Sequence, residues 1–282
     1  MLIIDEDINN IIIKALEEDK VKEDITTNSL FDSPLESKAI VKAKSDGILC
    51  GINLFKQVFK IIDSTLIVRE NFKDGESFKY GDIIINLKGD IRAILKGERT
   101  AMNFLGHLSG IATKTEKLVK KAKGKLKILD TRKTTPCMRK LEKYAVKTGG
   151  GVNHRFNLKE MAMLKENHLI HFNSLKEAVL KIRHKNPDIF IEIEVKNIKE
   201  FKEAYNLPVQ RIMLDNFSIS EIEEAVKINN KKMELEVSGG VNEDNIGKIA
   251  ETGVDFVSSG ALTHSFKNSD FSLLVLKKGG KI

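Results

Sequence analysis

From about residue 100 onward, short apolar runs recur along the chain, and each ends near a polar residue. Glu194, Asp215, Ser238 and Ser259 mark four of these ends at spacings of 21, 23 and 21 residues. The runs at 126–130, 161–165, 189–195, 211–215, 233–238 and 255–259 read as strands. Helical stretches separate them, clearest at 174–185, 218–229 and 242–251, each opened by a Ser or Asn suited to an N-cap. Strand–helix repetition requires a parallel sheet. An open doubly wound sheet presents ligand groups only at its switch point, whereas a barrel presents them at strand end after strand end. The beat of polar residues therefore favours a barrel over an open sheet, although six strands are fewer than the eight of a complete one.

The first hundred residues follow another pattern. A helix is predicted over 7–18, with Ile8, Ile11, Ile12, Ala15 and Leu16 on one face, and strand-like runs follow at 37–43, 66–70 and 82–87. Turn signals stand at Asp46-Gly47 and Asp74-Gly75, and a long helix is predicted over 97–121. This region is mixed α+β.

Composition removes several classes of function. No apolar run approaches the roughly 18 residues that cross a membrane, and the acidic start Met1-Leu-Ile-Ile-Asp-Glu-Asp7 is unlike a basic signal peptide, so a cytoplasmic enzyme is expected. Cys50 and Cys137 lack CxxC spacing and are expected to be free thiols. The net charge of +7 comes from 47 basic against 40 acidic residues, and only 6% of the chain is aromatic with no Trp. Stacking platforms for nucleic acid are thus scarce. The lysine run 117–127 keeps Leu118, Val119 and Ala122 for an inner face and reads as the solvated side of a helix end.

The candidate chemistry is concentrated elsewhere. Arg132, Lys133, His154, Arg155 and Lys165 are punctuated by Thr, Gly and Pro and so belong to loops, where a set of cations suits a small polyanion rich in carboxylate or phosphate. Ser238-Gly239-Gly240 and Ser259-Gly260 end the last two strands, where backbone N–H groups near a helix start could wrap a phosphate. Either pair alone reads as a tight turn; together they tip toward phosphate. Glu194 and Asp215 could hold Mg²⁺ or sugar hydroxyls beside that cradle. Two other chemistries have less support: a Cys137–His154 nucleophile and base, for which no spacing argues, and a metal bound by His154, His168 and His171, which lack the partners of a zinc helix.

Ten segments in order resemble one family. They are Glu23-Asp-Ile-Thr-Thr27, Glu98-Arg-Thr-Ala-Met-Asn-Phe104, His107-Leu-Ser-Gly-Ile-Ala-Thr113, Asp130-Thr-Arg-Lys-Thr-Thr-Pro136, Lys143-Tyr-Ala-Val146, Gly149-Gly-Gly-Val-Asn-His-Arg155, Lys165-Glu-Asn-His168, Met213-Leu-Asp-Asn216, Glu236-Val-Ser-Gly-Gly240 and Gly260-Ala-Leu-Thr-His-Ser265. Together they resemble quinolinate phosphoribosyltransferase over nearly the whole chain. The resemblance implies an α/β protein: an N-terminal α+β domain over 1–104, joined by 267–282, and an incomplete (β/α) barrel of about seven strands over 105–266. It further implies a homodimer or an assembly of dimers, Mg²⁺, and the decarboxylating transfer of phosphoribosyl from phosphoribosyl pyrophosphate to quinolinate on the route to NAD. By the same resemblance, Arg132, His154, Arg155 and Lys165 hold quinolinate, with Arg99 reaching in from a neighbouring subunit. Lys133, Glu194 and Asp215 engage phosphoribosyl pyrophosphate and its metal, and Ser238, Gly239, Gly240, Ser259, Gly260 and His264 its 5′-phosphate. Lys165, Glu194 and Asp215 carry the catalytic roles. One departure stands out: Cys137 occupies the position where the family usually has Gly, so a Gly-only backbone conformation is not assured there. A paralogue acting on another substrate and a non-enzymatic binder of phosphorylated ligands are the alternatives; intact 149–155 and 165–168 segments argue against the first.

Overall fold

The computed structural model describes residues 2–277. Its contacts divide the chain into two units, one of residues 1–114, 140–149 and 266–282, the other of 115–139 and 150–265. Of the segment 267–282, residues 278–282 lie outside the described residues.

In the first unit the helix Glu6–Glu18 is capped by Asp5, whose carboxylate accepts from the Ile8 N–H, and it buries Ile8, Ile12 and Leu16. Strands β1 (Glu36–Ala43), β2 (Gly47–Ile48), β3 (Ile67–Glu70), β4 (Ser77–Phe78) and β5 (Ile83–Asp90) follow. The main sheet is antiparallel, in the order Phe271–Val275, β1, β5, β3. Three helices of this unit were not predicted from the sequence: the short Ile25–Leu30 and two longer ones. Ile52–Ile62 buries Leu54, Phe55, Val58 and Phe59, and Asp74 Oδ1 accepts from the N–H groups of Gly51 and of Ile52, its first residue, at 3.0 and 3.1 Å. Arg139–Thr148 buries Glu142, whose carboxylate lies 2.9 Å from His107 Nε2. The long helix runs Ile91–Ala122, starting six residues before the predicted 97 because Ile91, Ala93 and Ile94 already continue the apolar face. Gly110 on it is dictated by packing, since a Cβ there would stand 2.4 Å from the Lys267 carbonyl oxygen. At its far end Leu118 and Ala122 are buried while Lys117, Lys120 and Lys121 are exposed, a solvated helix end as predicted.

The second unit contains the six predicted strands: β6 (Lys127–Leu129), β7 (Ala162–Leu164), β8 (Ile191–Val195), β9 (Arg211–Asp215), β10 (Glu234–Ser238) and β11 (Phe256–Ser258). They form one parallel sheet in the order β6-β11-β10-β9-β8-β7. That order is the cyclic succession of a barrel, with one position left between β6 and β7. Val152 occupies it as a single parallel bridge to Leu129. The bridge does not grow into the expected seventh strand because three glycines precede Val152, and because the His154 N–H is taken by Asp130 Oδ1 at 2.9 Å instead of a ladder partner.

Strand alternation then decides which residues face inward. In-register partners place Glu192, Arg211 and Glu234 in one row, and Glu194, Met213 and Glu236 in the next toward the carboxyl ends. Asp215 and Ser238 form the top row. Outside, Ser174, Asn197 and Ser218 cap the helices Leu175–Lys185, Ile198–Ala204 and Ile219–Asn229. The helix expected from Asn242 begins only at Ile246: the Asn242 side chain accepts from the N–H groups of Asp244 and Asn245, stabilising a turn that competes with helix. Among the described residues no helix is long and apolar enough to cross a membrane.

Candidate active site

The carboxyl ends of the parallel strands open into a cavity of about 820 Å³, formed within the second unit. Arg132, Lys133, His154, Arg155, Lys165, Glu194, Asp215, Ser238, Gly239, Gly240, Ser259, Gly260 and His264 all border it. Arg99 does not; it is exposed on the helix Ile91–Ala122, in the first unit.

One side of the cavity is cationic. Arg132 follows β6 in the loop 131–138, and its Nε is buried with no hydrogen-bond partner. Arg155 is half-buried nearby and donates to the Met161 carbonyl at 3.1 Å; burial and the charge of Arg132 both hold its pKa below the usual guanidinium value. Two cations that destabilise each other, one with a buried donor left open, have the chemistry to take an anion. Lys165 caps the short helix Glu166–Leu169 and reaches across to an ion pair with Glu194 on β8.

The opposite side is polar and rich in backbone. Gly239 (φ +95°) and Gly240 (φ +60°) follow β10, and a Cβ on Gly239 would stand 2.1 Å from Asn216 Oδ1. The backbone there requires glycine twice over, by conformation and by close approach. A Cβ on Gly260 would meet Lys133 Cδ at 2.8 Å and His264 Nε2 at 3.1 Å, so this glycine lets the Lys133 and His264 side chains lie close to the chain end of β11. The helix Ala261–His264 starts immediately after it, whereas the turn 242–245 separates Gly240 from the next helix. Asp215 accepts from the Asn216 side chain at 3.1 Å.

Below these groups lies a buried cluster that sequence reading missed. His154 Nε2 stands 3.0 Å from a Glu192 oxygen and 3.4 Å from a Glu236 oxygen, and both glutamates are fully buried. Burial alone would pull the imidazole down, but the two carboxylates outweigh it and lift its pKa to about 9. The Arg155 N–H, 2.7 Å from Nδ1, works in the opposite sense by engaging that lone pair. Glu192 is pushed up by burial, while Glu236, despite burial, is held down by His154, Ser258 and Arg211. The signal for both glutamates was the alternation Glu192-Ile-Glu194 and Glu236-Val-Ser238: period two puts each on the same inward face as the residue that was singled out.

The alternative chemistries find no geometric basis. Cys137 is exposed and does not border the cavity, whereas His154 is buried with both ring nitrogens engaged. His168 Nδ1 accepts from the Lys165 N–H, His171 is exposed, and neither joins the one cluster of three or more potential metal ligands found among the described residues, His154, Glu192 and Glu236. Cys137 does adopt φ +65°, the left-handed conformation that the family's usual Gly would take without strain. Cys137→Gly is expected to stabilise the protein by about 0.5–1 kcal/mol, because relief of 1–2 kcal/mol of strain exceeds the added entropy of an unfolded glycine. A urea midpoint at or below that of the parent chain would contradict this.

Two family models match: quinolinate phosphoribosyl transferase, N-terminal domain, over residues 24–109, and its C-terminal domain over residues 111–274. The chain belongs to the quinolinate phosphoribosyltransferase family. It is 44% identical over 279 residues to a probable nicotinate-nucleotide pyrophosphorylase [carboxylating] of Methanocaldococcus jannaschii, covering 95% of this chain and 96% of the relative. The corresponding chloroplastic protein of Arabidopsis thaliana is 36% identical over 289 residues, covering 95% and 83%. Among solved structures, NadC from Streptococcus pyogenes superposes with a TM-score of 0.93 at 39% identity, over 98% of this chain and all of that one. The nicotinate-nucleotide pyrophosphorylase from Francisella tularensis gives 0.92 at 37%, over 98% of each.

The Gly239 geometry carries a prediction of its own. Gly239→Ala should displace Asn216 and the β10 end, raising KM for a phosphoribosyl substrate at least tenfold while the KM for the acid cosubstrate changes less than threefold. Equal damage to both would show that the glycine supports the whole cavity rather than one side.

Proposed function

We infer that this chain is a quinolinate phosphoribosyltransferase, converting quinolinate and phosphoribosyl pyrophosphate into nicotinate mononucleotide, pyrophosphate and CO2 for NAD biosynthesis. The observation that supports it most directly is the buried Arg132 Nε without a partner beside Arg155, facing a cavity whose other side is the Gly239–Gly240 and Ser259–Gly260 backbone. Such a site suits a compact dicarboxylate next to a phosphate ester. Arg132, Arg155 and Lys165 bind the carboxylates, and His154 completes the cationic wall. Lys133 and His264 meet the phosphate-bearing substrate, whose 5′-phosphate takes the backbone donors of Gly239, Gly240 and Gly260 with Ser238 and Ser259.

Asp215 ends β9, Glu194 stands one residue before the end of the adjacent β8, and both border the same cavity, a pair of carboxylates that would suit Mg²⁺. When bound there, the ion neutralises charge on departing pyrophosphate. The residues do the rest by position and charge. The cationic wall orients the pyridine nitrogen toward ribose C1, and the Glu194 and Asp215 carboxylates favour the positive charge that develops at that carbon and on the ring. Once the nitrogen is quaternised, the C2 carboxylate leaves as CO2, because the ring cation stabilises the electron pair left at C2. Lys165 or an ordered water supplies the proton that takes up that pair.

The enzyme works as a homodimer or an assembly of dimers in the cytoplasm, with Arg99 completing the partner's site. The test is CO2 release from quinolinate labelled at the C2 carboxylate, with phosphoribosyl pyrophosphate and Mg²⁺. Dependence on both substrates, and at least a hundredfold preference for quinolinate over nicotinate, are expected, since the monoacid leaves buried cations unpaired at roughly 1–3 kcal/mol each. Comparable use of nicotinate overturns the assignment.

A further inference from the structure

Under the cavity, charges of alternating sign run down the barrel interior. Arg211 on β9 directs Nε and Nη2 onto Glu234 at 3.0 and 2.7 Å, and Nη1 onto Glu236 Oε2 at 3.1 Å. Its guanidinium lies over the Phe256 ring at 4.3 Å and the Phe190 ring at 5.4 Å from the centroids. The fork, the stacking and the buried setting fix this side chain, and only Arg offers that combination. Arg211 does not border the cavity, but Glu236 does.

Glu236 is an odd neighbour for such a pocket. It is a fully buried carboxylate whose Oε1 has no hydrogen-bond partner, and it faces the same cavity as the open Nε of Arg132. Chemically it is the group that the cationic wall is built to take, present at the effective concentration of a tethered ligand. Its other oxygen, Oε2, already stands 3.4 Å from His154 Nε2 on the cavity side and 3.1 Å from Arg211 Nη1 on the floor side; without Arg211 the balance tips toward the cavity, because a buried anion that loses one partner turns to those that remain.

We propose that Arg211 is a specificity-determining positioning residue that holds Glu236 on the barrel floor, so that this internal carboxylate does not compete with the carboxylates of the substrate. The proposal rests on the cavity being the quinolinate site. It explains why a residue outside the cavity spends its fork on two glutamates, one of them at the cavity wall.

The experiment compares the full-length protein with Arg211→Met, of similar volume and able to remain between the two rings, and with the double variant Arg211→Met/Glu236→Gln. Arg211→Met should raise quinolinate KM tenfold or more, leave the KM for phosphoribosyl pyrophosphate within twofold, and weaken quinolinate binding to the same extent in a calorimetric titration. Adding Glu236→Gln removes the competitor and should recover at least fivefold of that loss. A folded Arg211→Met with unchanged quinolinate KM overturns the proposal, and so does a loss that Glu236→Gln leaves in place, which would mean that Arg211 acts through packing. Should Arg211→Met not fold, Arg211→Lys keeps the charge without the fork. Its quinolinate KM should rise threefold or more, with recovery on adding Glu236→Gln, and an unchanged KM again overturns it. If the parent protein itself shows no quinolinate-dependent CO2 release, the reading of the cavity fails instead.

Discussion

Arg132→Lys should lower kcat/KM for quinolinate by about a hundredfold, with the melting temperature unchanged. The charge stays, but the planar two-pronged donor is lost, and charge-assisted hydrogen bonds of this kind are worth about 1.5–3 kcal/mol, or 10- to 100-fold. The Arg132 Nε is buried without a protein partner, so removing it breaks no contact of that atom, and stability should hold. Asp130, the nearest acid in sequence, is already committed: its Oδ1 accepts from the His154 N–H at 2.9 Å. An alternative in which Arg132 only pairs with a surface acid predicts near-normal kinetics for the Lys variant. Steady-state kinetics with quinolinate as the varied substrate decide between them.

The strand ends were legible because a parallel barrel obeys two simple periodicities. Apolar runs of five to seven residues mark buried strands, and the polar residue at or next to the end of each has to lie at the open end, which is how Glu194, Asp215, Ser238 and Ser259 came to border one cavity. The residues beneath them were less legible, because glutamate or arginine inside an apolar run reads as an outward-facing interruption. Glu192 and Glu236 face inward against His154, and Arg211 pairs with Glu236 from β9, and such pairing between distant segments has no local signature. The single-residue seventh strand at Val152 was invisible for a related reason, since a bridge one residue long produces no alternation. Helix boundaries failed where side chains compete with backbone: Asn242 satisfies a turn and delays the helix to Ile246, as its short amide permits. Ten motifs in order supplied the family, where no local pattern could.

Arg99→Ala and Lys165→Ala should each be nearly inactive alone, yet regain activity when unfolded and refolded together. Arg99 is an exposed arginine on the helix Ile91–Ala122, and Lys165 borders the cavity. If Arg99 completes the site of the other protomer in a two-fold dimer, each site combines Arg99 of one chain with Lys165 of its partner. A heterodimer of the two variants then has one site with both defects and one with neither. Random assembly makes half of the dimers mixed, and half of their sites are intact, so recovery should approach about a quarter of the parent activity. If Arg99 serves its own chain's site, every site in the mixture keeps one defect and no activity returns. Differently tagged chains establish that mixed dimers are present, and in such a mixture the absence of recovery refutes the shared site and leaves Arg99 with a role confined to its own subunit.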